Sequence, residues 1–170
     1  YIQVSAGGDF VAAVTINNIG YTFGNNKYGQ LGYTSYSEAK SWSMIAGNDD
    51  YTLAIATNGT LWGWGQNNYG QLGLGDTSDR SSPVQIGTSS WTQISAGDNH
   101  TLGITTLGRL YAWGNNNTGQ LGDGTTVNKS SPVFVDTRNK YKDITVGQGS
   151  LYYSMAIRTD GKLFAWGNNS

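Results

Sequence analysis

Short runs in which larger apolar residues flank a small one recur along the chain: FVAAV from Phe10, YTLAI from Tyr51, HTLGI from His100 and YSMAI from Tyr153. The larger positions are Ala12 and Val14, Leu53 and Ile55, Leu102 and Ile104, and Met155 and Ile157; between them stand Ala13, Ala54, Gly103 and Ala156. A period of two is that of a strand with one packed face. The small residues on the other face predict that something approaches the sheet closely there. Four residues after Ile55, Ile104 and Ile157 comes a glycine (Gly59, Gly108, Gly161), preceded by Asn58, Leu107 and Asp160 and followed by LWGW, LYAW and LFAW. Asn-Gly and Asp-Gly between alternating runs predict antiparallel hairpins closed by tight primed turns, with positive φ at both central residues. Trp62 and Trp64, Tyr111 and Trp113, and Phe164 and Trp166 then share a face and are expected to pack against the next repeat. The first hairpin is read with two extra residues between Val14 and Gly20.

These runs belong to an internal repeat. FGNNKYGQLG from Phe23 returns as WGQNNYGQLG from Trp64, as WGNNNTGQLG from Trp113, and shortened as WGNNS from Trp166. Its glycines Gly24, Gly65, Gly114 and Gly167 are spaced by 41, 49 and 53 residues. A second landmark, Ala6-Gly7, Ala46-Gly47, Ala96-Gly97 and Val146-Gly147, has nearly the same period. Two landmarks with one period define repeats of approximately 1–41, 42–90, 91–140 and 141–170, the last truncated, within a single domain. The glycines suit sharp turns, and Asn26, Asn67, Asn116 and Asn169 can satisfy turn backbone through their side-chain amides. Together with Trp64, Trp113 and Trp166 they are read as structural positions. SSPVQI and SSPVFV predict a fourth strand following Pro83 and Pro132. Four strands in about 50 residues describe a propeller blade.

The combination of WG-x-N-x-x-GQLG, AG-x-x-HTL, G-x-L-Y-A-W and SSPV resembles the repeat of the regulator of chromosome condensation family, over essentially the whole chain. The resemblance implies an all-β fold, a β-propeller of which this chain supplies about three and a half blades of seven. Seven blades need roughly 350 residues, so the chain is expected to be part of a longer protein, or else copies close a ring between them. An incomplete ring leaves apolar inter-blade surface at its two ends. The first repeat departs from the pattern with YTSYSEAKS in place of SSPV, and the histidine of the second strand occurs only at His100, with Phe10, Tyr51 and Tyr153 in the equivalent places.

Composition narrows the function. Only 12% of residues are charged, the net charge is −1, and 6 Trp, 11 Tyr and 4 Phe accompany 25 Gly. Disorder calls for more charge and fewer aromatics. No stretch approaches the roughly 20 apolar residues of a spanning helix, so no membrane insertion is expected. Without cysteine there is no disulfide, thiolate metal site or thiol nucleophile. Without a basic excess a nucleic-acid partner is not expected.

Candidate chemistry is sparse. His100, the sole histidine, has Asp98 as its only close acid, and its slot is that of a strand-packing residue. Asp49-Asp50, and Asp76 with Asp79, lack the spacing of a calcium loop and read as solvated loop charge. The glycines from Gly63 to Gly75 have no Lys-Ser/Thr after them, so they do not make a phosphate loop. No catalytic residue, cofactor, metal or small-molecule ligand is expected. The reading is a non-enzymatic structural and protein-interaction module, partnered by another protein or by itself, with an extracellular or virion-associated setting suggested by the low charge. Two alternatives stand beside it. The resemblance implies guanine-nucleotide exchange on a small GTPase; a secreted inhibitor or lectin-like binder would use Tyr28, Tyr33, Tyr36 and Tyr69. Arg138, Lys140 and Lys142 form a small basic cluster read as a polar loop between repeats.

Overall fold

The computed structural model describes residues 3–6, 10–32, 41–149 and 152–168. Among these, fourteen short strands form four antiparallel sheets. The first sheet is β1 (Gln3–Ala6), β2 (Phe10–Val14) and β3 (Gly20–Gly24); the second is β4 (Trp42–Gly47), β5 (Tyr51–Ala56), β6 (Leu61–Gly65) and β7 (Arg80–Gln85). The third is β8 (Trp91–Ala96), β9 (His100–Thr105), β10 (Leu110–Gly114) and β11 (Lys129–Phe134), and the fourth is β12 (Tyr141–Val146), β13 (Tyr153–Arg158) and β14 (Leu163–Gly167). Strands follow one another across each sheet in chain order, and β1, β4, β8 and β12 touch in series. Those first strands therefore line an axis and the sheets radiate from it: an arc of a β-propeller.

The hairpins are tight, but their turns differ from the expected type. Ala56 N–H donates to Thr60 O at 2.9 Å and Gly59 N–H to Ala56 O at 2.8 Å, with Gly59 at φ +83. This is a type I turn followed by one left-handed residue, and it repeats around Gly108 and Gly161. Asn58, Leu107 and Asp160 do not take positive φ. In the first sheet Asn18 occupies the left-handed position at φ 60, and its N–H donates to Thr15 O at 2.9 Å. Val14 pairs with Gly20 as Ile55 pairs with Leu61, so this hairpin carries no extra residues. Asparagine is one of the few residues that tolerate this conformation, which hides the equivalence from a search for glycine. The outer strands also begin earlier than expected: β7 starts at Arg80 and holds Pro83 within it. Proline is tolerated because the strand lies at an edge, and the pairing slips between Gly63 opposite Val84 and Gly65 opposite Arg80.

The second and third sheets are packed on both faces. Leu53, Ile55 and Leu61 of the second sheet meet Trp91, Ile94, Ala96 and Trp113 of the third. The opposite face, with Ile45, Ala54 and Trp64, meets Ala12 and Val14 of the first. The tryptophans thus pack against the preceding repeat, not the following one. Close approach at the small positions is made by indoles: a Cβ on Gly103 would lie 2.6 Å from Trp91 Cζ3 and 3.2 Å from Trp113 Cη2. On the outward faces of the first and last sheets Val4, Val11, Tyr21 and Phe23, and Leu163, remain exposed.

A hydrogen-bonded contact repeats at every sheet junction. Trp64 Nε1–H donates to Gln30 O at 2.7 Å, Trp113 to Gln71 O at 2.8 Å and Trp166 to Gln120 O at 2.9 Å. The same three carbonyls accept a hydroxyl from the later sheet: Thr52 at 3.0 Å, Thr101 at 2.9 Å and Ser154 at 2.7 Å. One carbonyl of the Gly-Gln-Leu-Gly loop therefore anchors two strands of its neighbour. The loop must lie flat against the indole: a Cβ on Gly73 would stand 2.8 Å from Trp113 Nε1, and φ there is +75.

Trp113 is fully buried, and covering an indole of roughly 200 Å² contributes about 5 kcal/mol. Trp113→Ala is expected to lower unfolding free energy by about 3–5 kcal/mol. Trp113→Phe, which keeps a ring but loses the donor, should cost about 1–3 kcal/mol. Urea denaturation of the two variants checks both the size and the order of these effects.

Candidate functional site

The ten-residue motif builds one class of loop. Its asparagine accepts from the N–H of the following leucine: Asn26 from Leu31 at 2.9 Å, Asn67 from Leu72 at 3.0 Å and Asn116 from Leu121 at 3.0 Å. Its glutamine Oε1 accepts from the N–H of Tyr28, Tyr69 and Thr118, each at 2.9 Å. In the second and third sheets the asparagine amide reaches onward, Asn67 to Asp76 O and Ser78 O at 3.0 and 3.1 Å, Asn116 to Thr125 O and Val127 O at 3.0 and 3.2 Å. Asn67 and Asn116 are fully buried. Gly65, Gly114 and Gly167 close strands β6, β10 and β14, as Gly24 closes β3, and all four have positive φ. Asn169 lies outside the described residues.

The acids near these loops divide into two kinds. Asp76 pairs with Arg80 at 2.6 Å, and Asp79 Oδ1 accepts from Asn67 N at 2.8 Å; both brace the loop. The Ser78 N–H, followed by Arg80, holds the Asp76 carboxyl below the usual carboxylate range. Asp49 and Asp50 instead come together with Asp98 at the inner rim. Asn48, Asp49, Asp50, Asp98, Asn99, Gln148 and Gly149 line an open cavity of about 430 Å³. These residues join the first and second strands of three successive sheets, so the cavity is the mouth of the axis on the face that also carries the motif loops. Asn48 Nδ2 donates to Asp98 Oδ1 at 2.8 Å, and Asn48 Oδ1 accepts from Asp49 N–H. Burial, and then the neighbouring Asp49, push the Asp50 carboxyl up, while Lys27 pulls it the other way. The mouth presents carboxylates and amides to solvent and can attract and hydrogen-bond a cationic group. No group of three or more His, Asp and Glu side chains among the described residues is placed to hold a metal ion.

Sequence reasoning treated Asp49-Asp50 and Asp98 separately, as loop charge and as a neighbour of His100. The signal that joins them is the repeat itself: each acid lies within three residues of an Ala-Gly pair, and rotation about the axis sets those loops side by side, with Asp98 in the place of Asn48. Asp98 and His100 do not work together. His100 is fully buried, and its Nε2 shares a hydrogen with Ser154 Oγ at 3.0 Å. Tyr51, its equivalent one sheet earlier, donates its hydroxyl to His100 O at 2.9 Å and stands 3.1 Å from Thr101 Oγ1. Of the tyrosines expected to bind, Tyr69 is exposed and Tyr28 is half-buried beneath Lys27 Nζ, 4.8 Å from its ring; Tyr33 and Tyr36 lie outside the described residues.

Radiating antiparallel sheets stitched by a repeated loop define a repeat-built β-propeller. The regulator of chromosome condensation (RCC1) repeat matches residues 58–104 and 108–156, and a second form of the same repeat matches 91–120. These matches cover more than half of the sequence, and the chain belongs to the RCC1 repeat family. No curated protein matches it in sequence. Among solved structures it is similar to human WBSCR16, at 22% identity and a TM-score of 0.84, over 98% of this chain and 47% of that one. It is similar also to Prp20p of Saccharomyces cerevisiae, described with binding properties to Gsp1p and histones, at 20% identity and a TM-score of 0.83 over 97% and 44%. The ectodomain of the Physcomitrella patens receptor kinase CR4 follows at 17% identity and 0.66, over 96% and 40%. The chain spans less than half the length of each of these three proteins.

Burial of the His100 ring lowers its pKa to about 4, against a weaker upward pull from the Tyr153 backbone. The unfolded chain, with histidine near its ordinary 6.5, then binds the proton more readily. Stability from this group is complete above pH 6.5 and falls as pH drops from 6.5 toward 4, by up to about 1.4 kcal/mol per pH unit. His100→Tyr, copying Tyr51, should keep the link to Ser154 and remove that slope. Parallel denaturation curves of the two proteins across this window check it, and equal slopes would refute it.

Proposed function

We propose that the chain is a non-enzymatic protein-interaction module that receives a lysine- or arginine-bearing segment of a partner at the axial mouth. The observation that carries this reading is the convergence of Asp49, Asp50 and Asp98 around one open cavity. The loops beside that cavity are fixed by buried asparagine and glutamine contacts, so the site is preorganised and little ordering cost falls on binding. Binding of Gsp1p and histones by the similar Prp20p supports a protein partner. Its low charge and lack of cysteine suit an extracellular or virion-exposed setting.

A second reading, guanine-nucleotide exchange on a small GTPase, is favoured by the likeness to Prp20p in fold. Accelerated nucleotide release from a purified GTPase on addition of the chain would support it.

The substitution Asp49→Asn/Asp50→Asn/Asp98→Asn removes the charge and keeps the shape of the mouth. A peptide of alternating lysine and serine is expected to bind the parent chain and to lose affinity on the order of tenfold or more in the variant. Calorimetric titration reads the difference; equal affinity for both proteins would place the partner elsewhere.

A further inference from the structure

The near-zero net charge conceals a division between the two faces. On the loop face stand Asp49, Asp50, Asp76, Asp79, Asp98 and Asp123, against the cations Lys27, Arg80 and Lys129. The hairpin face, at the other end of the strands, reverses the ratio: Arg109, Arg138, Lys140, Lys142, Arg158 and Lys162 against Asp136, Asp143 and Asp160. We propose that the hairpin face at the junction of the third and fourth sheets is a docking surface for an acidic polypeptide segment, held by Arg109, Arg138, Lys140 and Lys142.

Three observations carry this. First, the four cations are contiguous. Arg109 Nη1–H donates to Thr137 O at 2.7 Å, and a Cβ on Gly108 would lie 3.2 Å from Lys140 Cβ. Lys140 O accepts from Thr159 N–H at 2.9 Å, and Lys142 O from Gln93 Nε2 at 2.8 Å. These bonds use backbone carbonyls and leave the ammonium groups free. Arg138, Lys140 and Lys142 are exposed and Arg109 is half-buried. Among the described residues none of the four forms an ion pair, whereas Arg80 and Lys129 on the loop face are each paired with an aspartate.

Second, the acids nearby are already engaged. Asp136 accepts from Arg138 N, Asn139 N, Asn139 Nδ2 and Tyr141 Oη. Those donors bring its pKa down to about 2 and pin the loop that carries Arg138 and Lys140. Asp160 is held by Arg158 at 2.5 Å, with Lys162 at 4.0 Å. The loop is therefore pinned, and Arg109, Arg138, Lys140 and Lys142 outnumber the carboxylates Asp136 and Asp143 beside them.

Third, the fold does not require these charges. One junction earlier, Ser90 occupies the place of Lys140, since a Cβ on Gly59 would meet Ser90 as one on Gly108 would meet Lys140. By the same register Thr60 stands for Arg109 and Thr92 for Lys142, and that junction closes with the same backbone bonds, Trp91 N–H to Gly59 O and Tyr141 N–H to Gly108 O, each at 2.9 Å. A polypeptide fits better than a nucleic-acid backbone. Asp136, Asp143 and Asp160 interrupt the patch, and a discrete set of carboxylates can avoid them where a continuous phosphate line cannot.

The test is anisotropy of a labelled peptide of alternating glutamate and serine, titrated with the full chain at low and at physiological ionic strength. Saturable, salt-weakened binding is expected, reduced tenfold or more by Arg109→Thr/Arg138→Ser/Lys140→Ser/Lys142→Thr and unchanged by the Asp49, Asp50 and Asp98 substitutions at the other face. Circular dichroism establishes that the fourfold variant is folded; if it is not, Lys140→Ser/Lys142→Thr is judged by the same criterion. Absence of saturable binding, undiminished binding by the variant, or tighter binding of duplex DNA than of the peptide would each overturn the proposal.

Discussion

The structure depends on one carbonyl per repeat. Gln30 O, Gln71 O and Gln120 O each accept an indole N–H and a hydroxyl from the following sheet. A carbonyl has two lone pairs, and a buried one left short of partners costs free energy. Placing both donors on the next sheet joins the loop of one repeat to two strands of its neighbour. The constraint reaches back into the sequence. The carbonyl is exposed to its donors only if the loop turns tightly, which calls for left-handed glycines at Gly70 and Gly73, and only if the loop is braced from within, which consumes the side chains of Asn67 and Gln71.

The same arrangement separates structure from interaction. Because the loop asparagines and the glutamine oxygens are spent on their own backbone, the groups left for a partner are those at strand ends, and the two ends differ in charge. At one end the connections between first and second strands gather carboxylates around the axis. At the other, an aspartate-pinned loop holds cations that the neighbouring junction does without. Propeller packing turns residues about fifty positions apart into neighbours on one rim, which lets a chain of net charge −1 carry two surfaces of opposite sign.

Much of the fold was legible because its signals are local. Alternation in YTLAI and HTLGI, the hairpin glycines and the repeated WG-x-N-x-x-GQLG mark strands and turns within a few residues. What escaped was relational. Alternation shows that Trp62 and Trp64 share a face, but not which neighbour that face meets; the direction follows from the hydrogen bond of Trp64 to Gln30, far earlier in the chain. The turn type was misread because Asn58-Gly59 is compatible with two geometries, and only the φ of Asn58 separates them. The equivalence of Asn18 to Gly59 was missed for a related reason, since two residue types can fill one left-handed position. At the candidate site Asp49, Asp50 and Asp98 looked like unrelated loop charge until the sheets were placed about an axis. Arg109 is separated in sequence from Arg138, Lys140 and Lys142 and joins them through its bond to Thr137 and the bond of Tyr141 N–H to Gly108 O.

The central claim is that Trp113 and Thr101 act through a shared acceptor, and a double-mutant cycle tests it most directly. Trp113→Phe and Thr101→Val each leave Gln71 O with one donor; the pair leaves it with none. The unfolding free energy lost by the double variant is expected to exceed the sum of the single losses by about 1 kcal/mol or more, the cost of orphaning a buried carbonyl. Losses that add to within about 0.5 kcal/mol would mean that the two contacts are independent, and would contradict the account.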